Sequence, residues 1–322
     1  MKVRLGKESG IFIVLLALFV ALSFISPVFL TADNLIDLVR TNVVLGILAI
    51  GMTIVILIGG IDVSVGAMTA AVTVLLGYFT VAFGFQPLVA LLVSIAGGTL
   101  LGLINGLLVT KIRVHAIVVT LGTLSIYSGF TMYVTGGSWI NNLPAEFIEF
   151  GRIRLLGFVP IQILFLLAVA LATWFMLRHL HIGRAIYALG GSPVAAERSG
   201  IDTARVQQFV YAYMGFLAGV AAFVHTSIYR QVDPNAFTGF ELQVIAAVVL
   251  GGASIMGGRG SVLGSLLGVA LLALLGNGLT LARISSFWHK VIIGLFIVIA
   301  VSFDIWQRKR QERRMAKIDV MG

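Results

Sequence analysis

Long apolar runs alternate with short polar segments along almost the whole chain. Ten runs have about 20 apolar residues each, the length that an α-helix needs to cross roughly 30 Å of hydrocarbon. They lie at 11–30, 41–60, 62–83, 86–109, 115–135, 160–178, 206–226, 240–257, 261–281 and 287–305. The pattern predicts an all-α polytopic membrane protein with about ten transmembrane helices, some of them broken or re-entrant. Residues 1–322 are expected to form a single integral membrane domain.

Three longer segments interrupt the apolar runs, at 136–159, 179–205 and 227–240. The first contains Trp139, Pro144 and two acids, and it is expected to form an interfacial loop or a short helix. None of the three has the length or composition of a linker or a soluble domain.

The composition supports a membrane location and excludes some kinds of site. The chain is 59% hydrophobic and 11% charged, with a mean hydropathy of +1.06, whereas soluble domains have about 25% charged residues. There is no cysteine, so disulfides, a thiol nucleophile and thiolate metal sites are excluded.

The basic residues predict the orientation. If the N-terminus is cytoplasmic, the inner segments carry 16 of the 22 Lys and Arg residues, while the acids are divided evenly between the two sides. An excess of Lys and Arg on cytoplasmic loops sets orientation, so both termini, the basic tail at 306–322 and the loop at 179–205 are predicted to be cytoplasmic. The net charge of +9 then indicates topology and contact with anionic lipid, and no nucleic-acid partner is needed to explain it.

The first apolar run also resembles a signal peptide, with a basic start and Ala21-Leu22-Ser23 as a cleavage triplet. An uncleaved first span is the preferred interpretation, because the apolar run continues to Leu30 and further spans follow.

The segment at 59–66, GGIDVSVG, places an acid inside an apolar stretch. One interpretation is structural: the glycines end one helix, and Asp62 caps the next by accepting the backbone N–H of Ser64 or Val65. A buried acid in a membrane protein is also a candidate functional group, so direct substrate contact and proton coupling remain alternatives. A helix break at membrane depth must be covered by protein or by a watery cavity.

Glycines recur at spacings typical of helix packing in membranes. The stretches at 97–109 and 264–278 have small residues three and four positions apart, which lets helix backbones approach closely. In addition, Gly59-Gly60-x5-Gly66 recurs as Gly257-Gly258-x5-Gly264. Internal repeats are common in transporters, but this short pattern leaves the symmetry open.

The inner segment contains a turn, GGSP, followed by a short amphipathic helix, VAAERSGI. Ala195, Ala196 and Ser199 are spaced to share one face of that helix. Such a helix suits insertion into a groove of another protein, although an ordinary solvated loop explains the pattern equally well.

Motifs for catalysis are missing. The chain has no phosphate-binding loop of the form G-x4-G-K-[ST] and no H-E-x-x-H zinc motif, so it is not expected to hydrolyse ATP by itself or to hold a metal. An intramembrane hydrolase built on Ser64, Ser125, Ser128 or Ser254 with His225 is an alternative, but none of these serines has a G-x-S-x-G frame.

Five long stretches resemble the permease subunits of bacterial ATP-binding-cassette importers for ribose, xylose, rhamnose and autoinducer-2. The resemblance covers residues 35–304. The stretches are LAIGMTIVILIGGIDVSVGAM, GLINGLLVTKIRV, VVTLGTLSIYSGF, GRAIYALGGSPVAAERSGI and GFELQVIAAVVLGGASIMGGRGSVLG. The segment at 135–147 is most similar to the rhamnose and autoinducer-2 branch, but His115-Ala116 stands where many members have a proline.

The resemblance implies a multi-pass protein of the bacterial inner membrane that works in a complex. Its partners would be a cytoplasmic ATPase that holds ATP and magnesium, a second permease copy or related permease, and an external sugar-binding protein. This chain would need no cofactor. The loop would couple to the ATPase through Gly183, Arg184, Gly190, Ala195, Ala196, Ser199, Gly200 and Ile201.

The candidates for a translocation path are the two glycines at the helix break and the polar residues in apolar surroundings. They are Gly59, Gly60, Thr53, Asp62, Ser64, Asn105, Thr120, Thr123, Gln243, Ser254 and Asn277. Some of these are expected to form interhelical hydrogen bonds instead. A stand-alone secondary transporter or facilitator is the main alternative to an ATP-driven importer.

Overall fold

The computed structural model describes residues 7–112, 114–285, 288, 291–292, 294–295 and 298. The helices in this part of the chain are α1 (Lys7–Ile25), α2 (Ala32–Leu57), α3 (Val65–Phe83), α4 (Pro87–Ile112), α5 (Ala116–Thr135), α6 (Ala145–Arg152), α7 (Ile161–His179), α8 (His181–Gly191), α9 (Pro193–Arg198), α10 (Thr203–Tyr229), α11 (Phe240–Leu250) and α12 (Val262–Leu281). A two-stranded antiparallel hairpin, β1 (Arg154–Leu155) and β2 (Val159–Pro160), lies between α6 and α7.

Seven of the described helices are long and apolar enough to cross a membrane: α2, α3, α4, α5, α7, α10 and α12. They coincide with seven predicted spans, and the first predicted span corresponds to the shorter apolar helix Gly10–Ile25. The predicted all-α polytopic membrane class is therefore confirmed. The predicted span at 287–305 lies mostly outside the described residues, and the tail at 306–322 lies entirely outside them.

The predicted span at 240–257 is wrong as a continuous helix. α11 ends at Leu250 after 11 residues, a length of about 16 Å, or half the hydrocarbon thickness. Gly252 has a φ of +88°, and its N–H and that of Ala253 donate to carbonyls of the last turn of α11. This is a Schellman motif, which ends a helix, so α11 is a half-length helix followed by a loop.

The helices differ strongly in burial. We compare the 18 most apolar consecutive residues of each helix. Of these, 78% are buried in α2 and 72% in α10, against 22% in α4 and in α5 and 28% in α7. α2 and α10 are thus central helices of the bundle, whereas α4, α5 and α7 lie at its periphery with one face exposed to lipid.

α4 and α10 cross at glycines on both helices. A Cβ on Gly102 would overlap the carbonyl oxygen of Tyr211, and a Cβ on Gly215 would overlap the carbonyl oxygen of Gly98. Only helices without side chains at these positions can approach so closely. The helix seam predicted in residues 97–109 is therefore confirmed.

The second predicted seam joins α11 to α12. A Cβ on Gly264 would overlap the carbonyl oxygen of Gly251, and one on Gly268 would overlap that of Ala247. Gly276, in contrast, has no atom within 4 Å of the position of a Cβ. The contact with α11 thus lies in the first two turns of α12, whereas Gly278 in its last turn packs against Leu22 of α1.

The segment at 136–159 contains a short helix, as predicted. α6 is amphipathic and packs onto α10 through Phe147, which is fully buried and makes an edge contact with Phe223 at 5.5 Å between ring centres. The carbonyl of Gly151 accepts a hydrogen bond from Gln162 at 2.9 Å, which fixes the end of α6 to the start of α7.

Candidate functional site

α2 ends at the two glycines that the sequence marks as a helix break. Gly59 has a φ of +77°. Its N–H donates to the Ile56 carbonyl at 2.9 Å, and the N–H of Gly60 donates to the Val55 carbonyl at 3.0 Å. These are the two bonds of a Schellman motif. The chain therefore leaves α2 sharply and stays non-helical through residues 58–64, the first break, until α3 begins.

Asp62 lies in the first break and is fully buried. Its Oδ1 accepts the backbone N–H of Ser64 at 2.9 Å and the Ser64 hydroxyl at 2.6 Å. The amide of Asn105 on α4 donates to the Ser64 hydroxyl oxygen at 2.8 Å, and the Tyr127 hydroxyl on α5 donates to Asn105 Oδ1 at 3.3 Å. This chain of hydrogen bonds joins the first break to α4 and α5.

The predicted hydrogen bond from the Ser64 N–H to Asp62 is confirmed, but Asp62 is not itself the cap residue of α3. α3 begins at Val65, and its cap residue is Ser64, whose side chain makes no capping bond. Asp62 instead stabilises the turn before the cap by accepting the Ser64 N–H, as an Asx turn does. A short polar side chain at this position favours that turn over helix.

Two buried polar atoms at the first break make no hydrogen bond, Asp62 Oδ2 and the Tyr211 hydroxyl. The hydroxyl lies against Gly60, where a Cβ would be 2.9 Å from its oxygen. None of the ion pairs among the described residues involves Asp62. Burying a carboxyl without a cation is costly, which is consistent with a functional constraint at this position.

Two predicted path residues of α5 lie at or near the first break. The Thr120 hydroxyl donates to the Ile61 carbonyl at 3.2 Å, and the Thr123 hydroxyl donates to the Thr120 carbonyl at 3.3 Å. Both threonines are buried. The structure therefore brings together six of the predicted path residues, which are Gly59, Gly60, Asp62, Ser64, Asn105 and Thr120, and Thr123 lies buried about one turn further along α5.

Four other predicted path residues lie elsewhere. Gln243 is half-buried on α11, and Ser254 is buried in the loop after α11. Asn277 and Asn34 donate to each other through their amides, at 2.9 and 3.3 Å, and so join α12 to α2. Asn277 is therefore a helix-packing residue rather than part of the first break. Thr53 likewise forms a hydrogen bond of 2.6 Å to α12.

A second non-helical segment at 230–239, the second break, follows α10 and runs along α3. The side chain of Val232 lies against Gly77, whereas the carbonyl of Phe237 lies against Gly66. Those two glycines are eleven residues apart, or about 16 Å along α3. The second break therefore reaches from one end of α3 to its first turn, and α11 begins at that depth within the membrane.

The two broken pairs of helices, α2–α3 and α10–α11, run in opposite directions. α2 ends against α8, and α10 begins just after α9, which packs on α8. The end of α2 and the start of α10 are therefore on the same side. Segments of opposite direction are a feature of inverted repeats. The glycine recurrence in the sequence relates a different pair of segments, α2–α3 and α11–α12.

A cavity of about 190 Å³ lies where the second break meets α3 and α5. Its walls come from α3, α5 and the second break with the start of α11. Its lining includes Ala67, Ala70, Ser128, Asn235, Phe237 and Glu241. The missing side chain at Gly66 lets the Glu241 carboxyl approach α3, since a Cβ on Gly66 would be 2.8 Å from Glu241 Oε2.

The two Gly-Gly pairs of the sequence meet on the predicted cytoplasmic side, and α8 packs onto them. The N–H of Gly258 donates to the Leu57 carbonyl at 2.9 Å. A Cβ on Gly190 would overlap the Leu57 carbonyl oxygen and lie 2.6 Å from the Gly258 nitrogen. A Cβ on Gly257 would lie 2.9 Å from the Gly190 carbonyl oxygen and 3.0 Å from the Gly59 nitrogen. Backbone thus contacts backbone at this glycine junction.

A side chain of α8 strengthens the glycine junction. The Tyr187 hydroxyl donates to the Gly260 carbonyl at 2.9 Å. Burial raises the pKa of the Tyr187 hydroxyl, so it stays a protonated donor over the physiological range. α8 is therefore fixed to the loop that follows α11 by a side chain as well as by backbone packing.

The predicted coupling residues lie on α8, on α9 and in the turn after α9. Ser192 caps α9 by accepting the Ala195 N–H at 3.3 Å, and Gly200, with a φ of +81°, follows its C-cap. Exposed coupling residues are Arg184, Ala195, Ser199 and Gly200, whereas Gly183 and Ala196 are buried and Gly190 and Ile201 are partly buried.

The expectation that Ala195, Ala196 and Ser199 share one exposed face is wrong. Ala196 is only 3% exposed, because α9 packs with this residue against the rest of the chain. Val194, which the sequence did not single out, is 60% exposed and lies on the accessible side of α9. Buried members of the set, such as Gly183 and Ala196, can act on a partner only by positioning the exposed ones.

The lining residues of the cavity were also missed as path residues in the sequence. Glu241 was not among the candidates, yet its carboxyl lies at the first turn of α3. The sequence does contain a signal in Gly239-Phe240-Glu241. A glycine at the cap position and an acid in the first turn both favour the start of a helix. Among the described residues, no group of His, Asp and Glu is placed to hold a metal ion.

Residues 34–301 match the protein family described as "branched-chain amino acid transport system / permease component". The match covers most of the chain. This chain belongs to that permease family. Its members are the membrane components of transport systems, so the protein is a multi-pass membrane permease component, in agreement with the helices that can cross a membrane.

Permeases from several bacteria are similar to this chain over nearly their full length. The ribose import permease protein RbsC of Escherichia coli (strain K12) is 39% identical over 301 residues, which cover 92% of this chain and 93% of that protein. RbsC of Bacillus subtilis (strain 168) is 39% identical over 303 residues, covering 94% and 92%.

A third relative imports a different ligand. The autoinducer 2 import system permease protein LsrC of Escherichia coli (strain K12 / DH10B) is 35% identical over 312 residues, which cover 97% of this chain and 91% of that protein. No solved structure matches this chain. The resemblance to importer permeases that the motifs indicated is confirmed by these relatives.

Proposed function

We propose that this chain is the membrane-spanning subunit of an ATP-driven importer and forms the path for a monosaccharide. The observation that carries the proposal is the glycine junction. Because Gly190 of α8 contacts the end of α2 and the loop after α11 through backbone atoms, a partner that moves α8 and α9 would also move the first break and that loop. Such a link is what an importer driven by a separate cytoplasmic ATPase needs.

The partners follow from the proposed function. A cytoplasmic ATP-binding-cassette ATPase would hold ATP and magnesium and would contact the exposed side of α9, where Val194 is accessible. A second copy of this permease or a related permease would complete the path. An external sugar-binding protein would dock on the segment at 136–159 and on the start of the second break, where Val232 pairs with Ile140. This chain itself would use no cofactor and no nucleic acid.

The substrate class is supported by the relatives. Two permeases named for ribose import are 39% identical to this chain, which favours a pentose or a deoxyhexose such as rhamnose. The permease named for autoinducer 2 import is 35% identical, so autoinducer 2 is the second candidate. All these ligands are small and polar, and they suit a path with hydroxyl, amide and carboxyl groups.

The mechanism would be alternating access, with the external protein supplying the affinity. Closure of the ATPase on ATP would move α9 and α8, and the glycine junction would pass that movement to the first break and to the loop after α11. Sugar binding in the permease would be weak, since tight binding would slow release. The buried groups at the first break would then be exposed to the path only in other conformations.

Reconstitution tests the proposal directly. The complex of this chain with a cognate ATPase and binding protein is placed in liposomes, and uptake of labelled ribose, xylose, rhamnose and autoinducer 2 is measured with and without ATP. Uptake that needs both ATP and the binding protein is expected. Uptake by the purified chain alone, without ATP, would instead identify a secondary transporter or facilitator.

A further inference from the structure

We propose that the cavity between α3, α5 and the second break binds the transported monosaccharide, with the Glu241 carboxyl as a principal hydrogen-bonding group. This inference rests on the proposed function and adds to it a specific site. The site is distinct from the predicted path residues at the first break, and it assigns a role to the point where the second break meets α3 and α5.

The chemistry of the lining suits a sugar. Ser128 and Asn235 present a hydroxyl and an amide, and Glu241 presents a carboxyl, so the wall offers both donors and acceptors to a ring of hydroxyl groups. Phe237 adds an aromatic surface for the apolar C–H groups of the sugar. Its ring is held by an edge contact with Phe240 at 5.5 Å and by a contact with His225 at 4.6 Å.

The size of the cavity restricts the ligand to a small one. Its volume is about 190 Å³, below the roughly 300–1,000 Å³ of sites for drug-sized ligands. Ala67 and Ala70 leave this space open on the α3 side, where larger side chains would fill it. A single small ring is therefore the appropriate ligand, and an oligosaccharide is not.

The charge of the lining selects against anions. Glu241 brings a carboxyl to the wall, and no Lys or Arg is among the lining residues that the structure describes. A sugar phosphate or sugar acid would find no countercharge there, and unpaired charge in an enclosed site is a strong basis for discrimination. The site is therefore suited to a neutral polyhydroxylated ligand.

The absence of cysteine from the chain permits a direct test by thiol labelling. Ser128→Cys places the single thiol of this chain in the cavity wall, and Ser138→Cys places one on the exposed outer loop as a matched control. For labelling, each variant is assembled with its ATPase but without the binding protein, so that no docked protein covers the outer loop, and labelling by a small thiol reagent is followed with and without ribose, xylose or rhamnose, tested singly. Before labelling, both cysteine variants must be shown to transport the sugar that is used.

Sugar binding is expected to protect Ser128→Cys and leave Ser138→Cys unaffected. At a sugar concentration ten times Kd, labelling should be roughly tenfold slower, because one site in eleven remains free. Adding Glu241→Gln should weaken protection by roughly tenfold or more, since a hydrogen bond to a charged group is replaced by a neutral one. Leu242→Ala, the next residue of α11, is 62% exposed and outside the cavity lining, and it should leave protection unchanged.

The outcomes separate the cavity site from the proposed function. If the unmodified complex imports a sugar but that sugar does not protect Ser128→Cys, the cavity is not its binding site and the inference is wrong. Equal protection with and without Glu241→Gln would likewise overturn the role of Glu241. If the unmodified complex imports none of the sugars, the proposed function itself fails.

Discussion

The glycine junction makes Gly190→Ala the most informative substitution in the chain. The added Cβ would overlap the Leu57 carbonyl oxygen and lie 2.6 Å from the Gly258 nitrogen, whereas ordinary contacts of a Cβ are at 3.4–4 Å. Both neighbours are backbone atoms, so no side chain can rotate out of the way. α8 would therefore have to move by about 1 Å, because packed interiors transmit such strain. Overpacking of this kind costs about 1–3 kcal/mol.

The expected result is loss of coupling more than loss of the complex. In proteoliposomes containing the ATPase and the binding protein, Gly190→Ala should still hydrolyse ATP but should move several-fold less sugar per ATP, since displaced α8 no longer drives the first break and the loop after α11 together. Gly191→Ala is the matched control, because no atom lies within 4 Å of its added Cβ. If the assembled Gly190→Ala complex transports as much sugar per ATP as the Gly191→Ala complex, the junction does not transmit the movement and the reasoning is refuted.

Substitutions at three other sites are expected to separate packing from transport. Gly102→Ala would push a Cβ into the Tyr211 carbonyl and should lower stability in detergent by about 1–3 kcal/mol. Gly122→Ala is the control, because its added Cβ has open space. Equal melting temperatures of the two variants would contradict the close crossing of α4 and α10. Asp62→Asn keeps an acceptor for the turn and should transport normally. Asp62→Ala removes that acceptor and should lose about 1–3 kcal/mol of stability. A transport defect in Asp62→Asn would show that the charge is required. Asn277→Ala removes an interhelical amide pair, worth about 0.6–1.7 kcal/mol, and should lower the melting temperature without changing sugar uptake; lost uptake would return Asn277 to the path.

The sequence was sufficient to predict the features that depend on local chemistry. Apolar length defined the helices that can cross the membrane, and the glycines at 59–60 marked the end of α2 because a positive φ favours glycine. The spacing of small residues identified the close crossing at Gly102, since helix geometry places positions four apart on one face.

Features that depend on the partner across a contact were not predictable in the same way. Asn105 and Asn277 are both amides in apolar helices, yet one bonds to the first break and the other to Asn34, and no local pattern distinguishes them. The end of α11 was hidden because Gly251-Gly252 lies inside an apolar run, and hydropathy does not detect a change of backbone conformation. The place of Glu241 depends on how far the second break runs along α3, which only the fold determines.

α11 connects the two ends of the proposed mechanism. Its first turn carries Glu241 at the cavity, and the loop after its last turn reaches the glycine junction through Gly257 and Gly258. Between them lies a helix of 11 residues, about 16 Å long and fixed along α12 by the contact of Gly251 with Gly264. A movement of α8 would therefore reach the cavity through one short rigid helix. Packed backbone contacts and rigid helices of this kind can carry energetic coupling between distant sites.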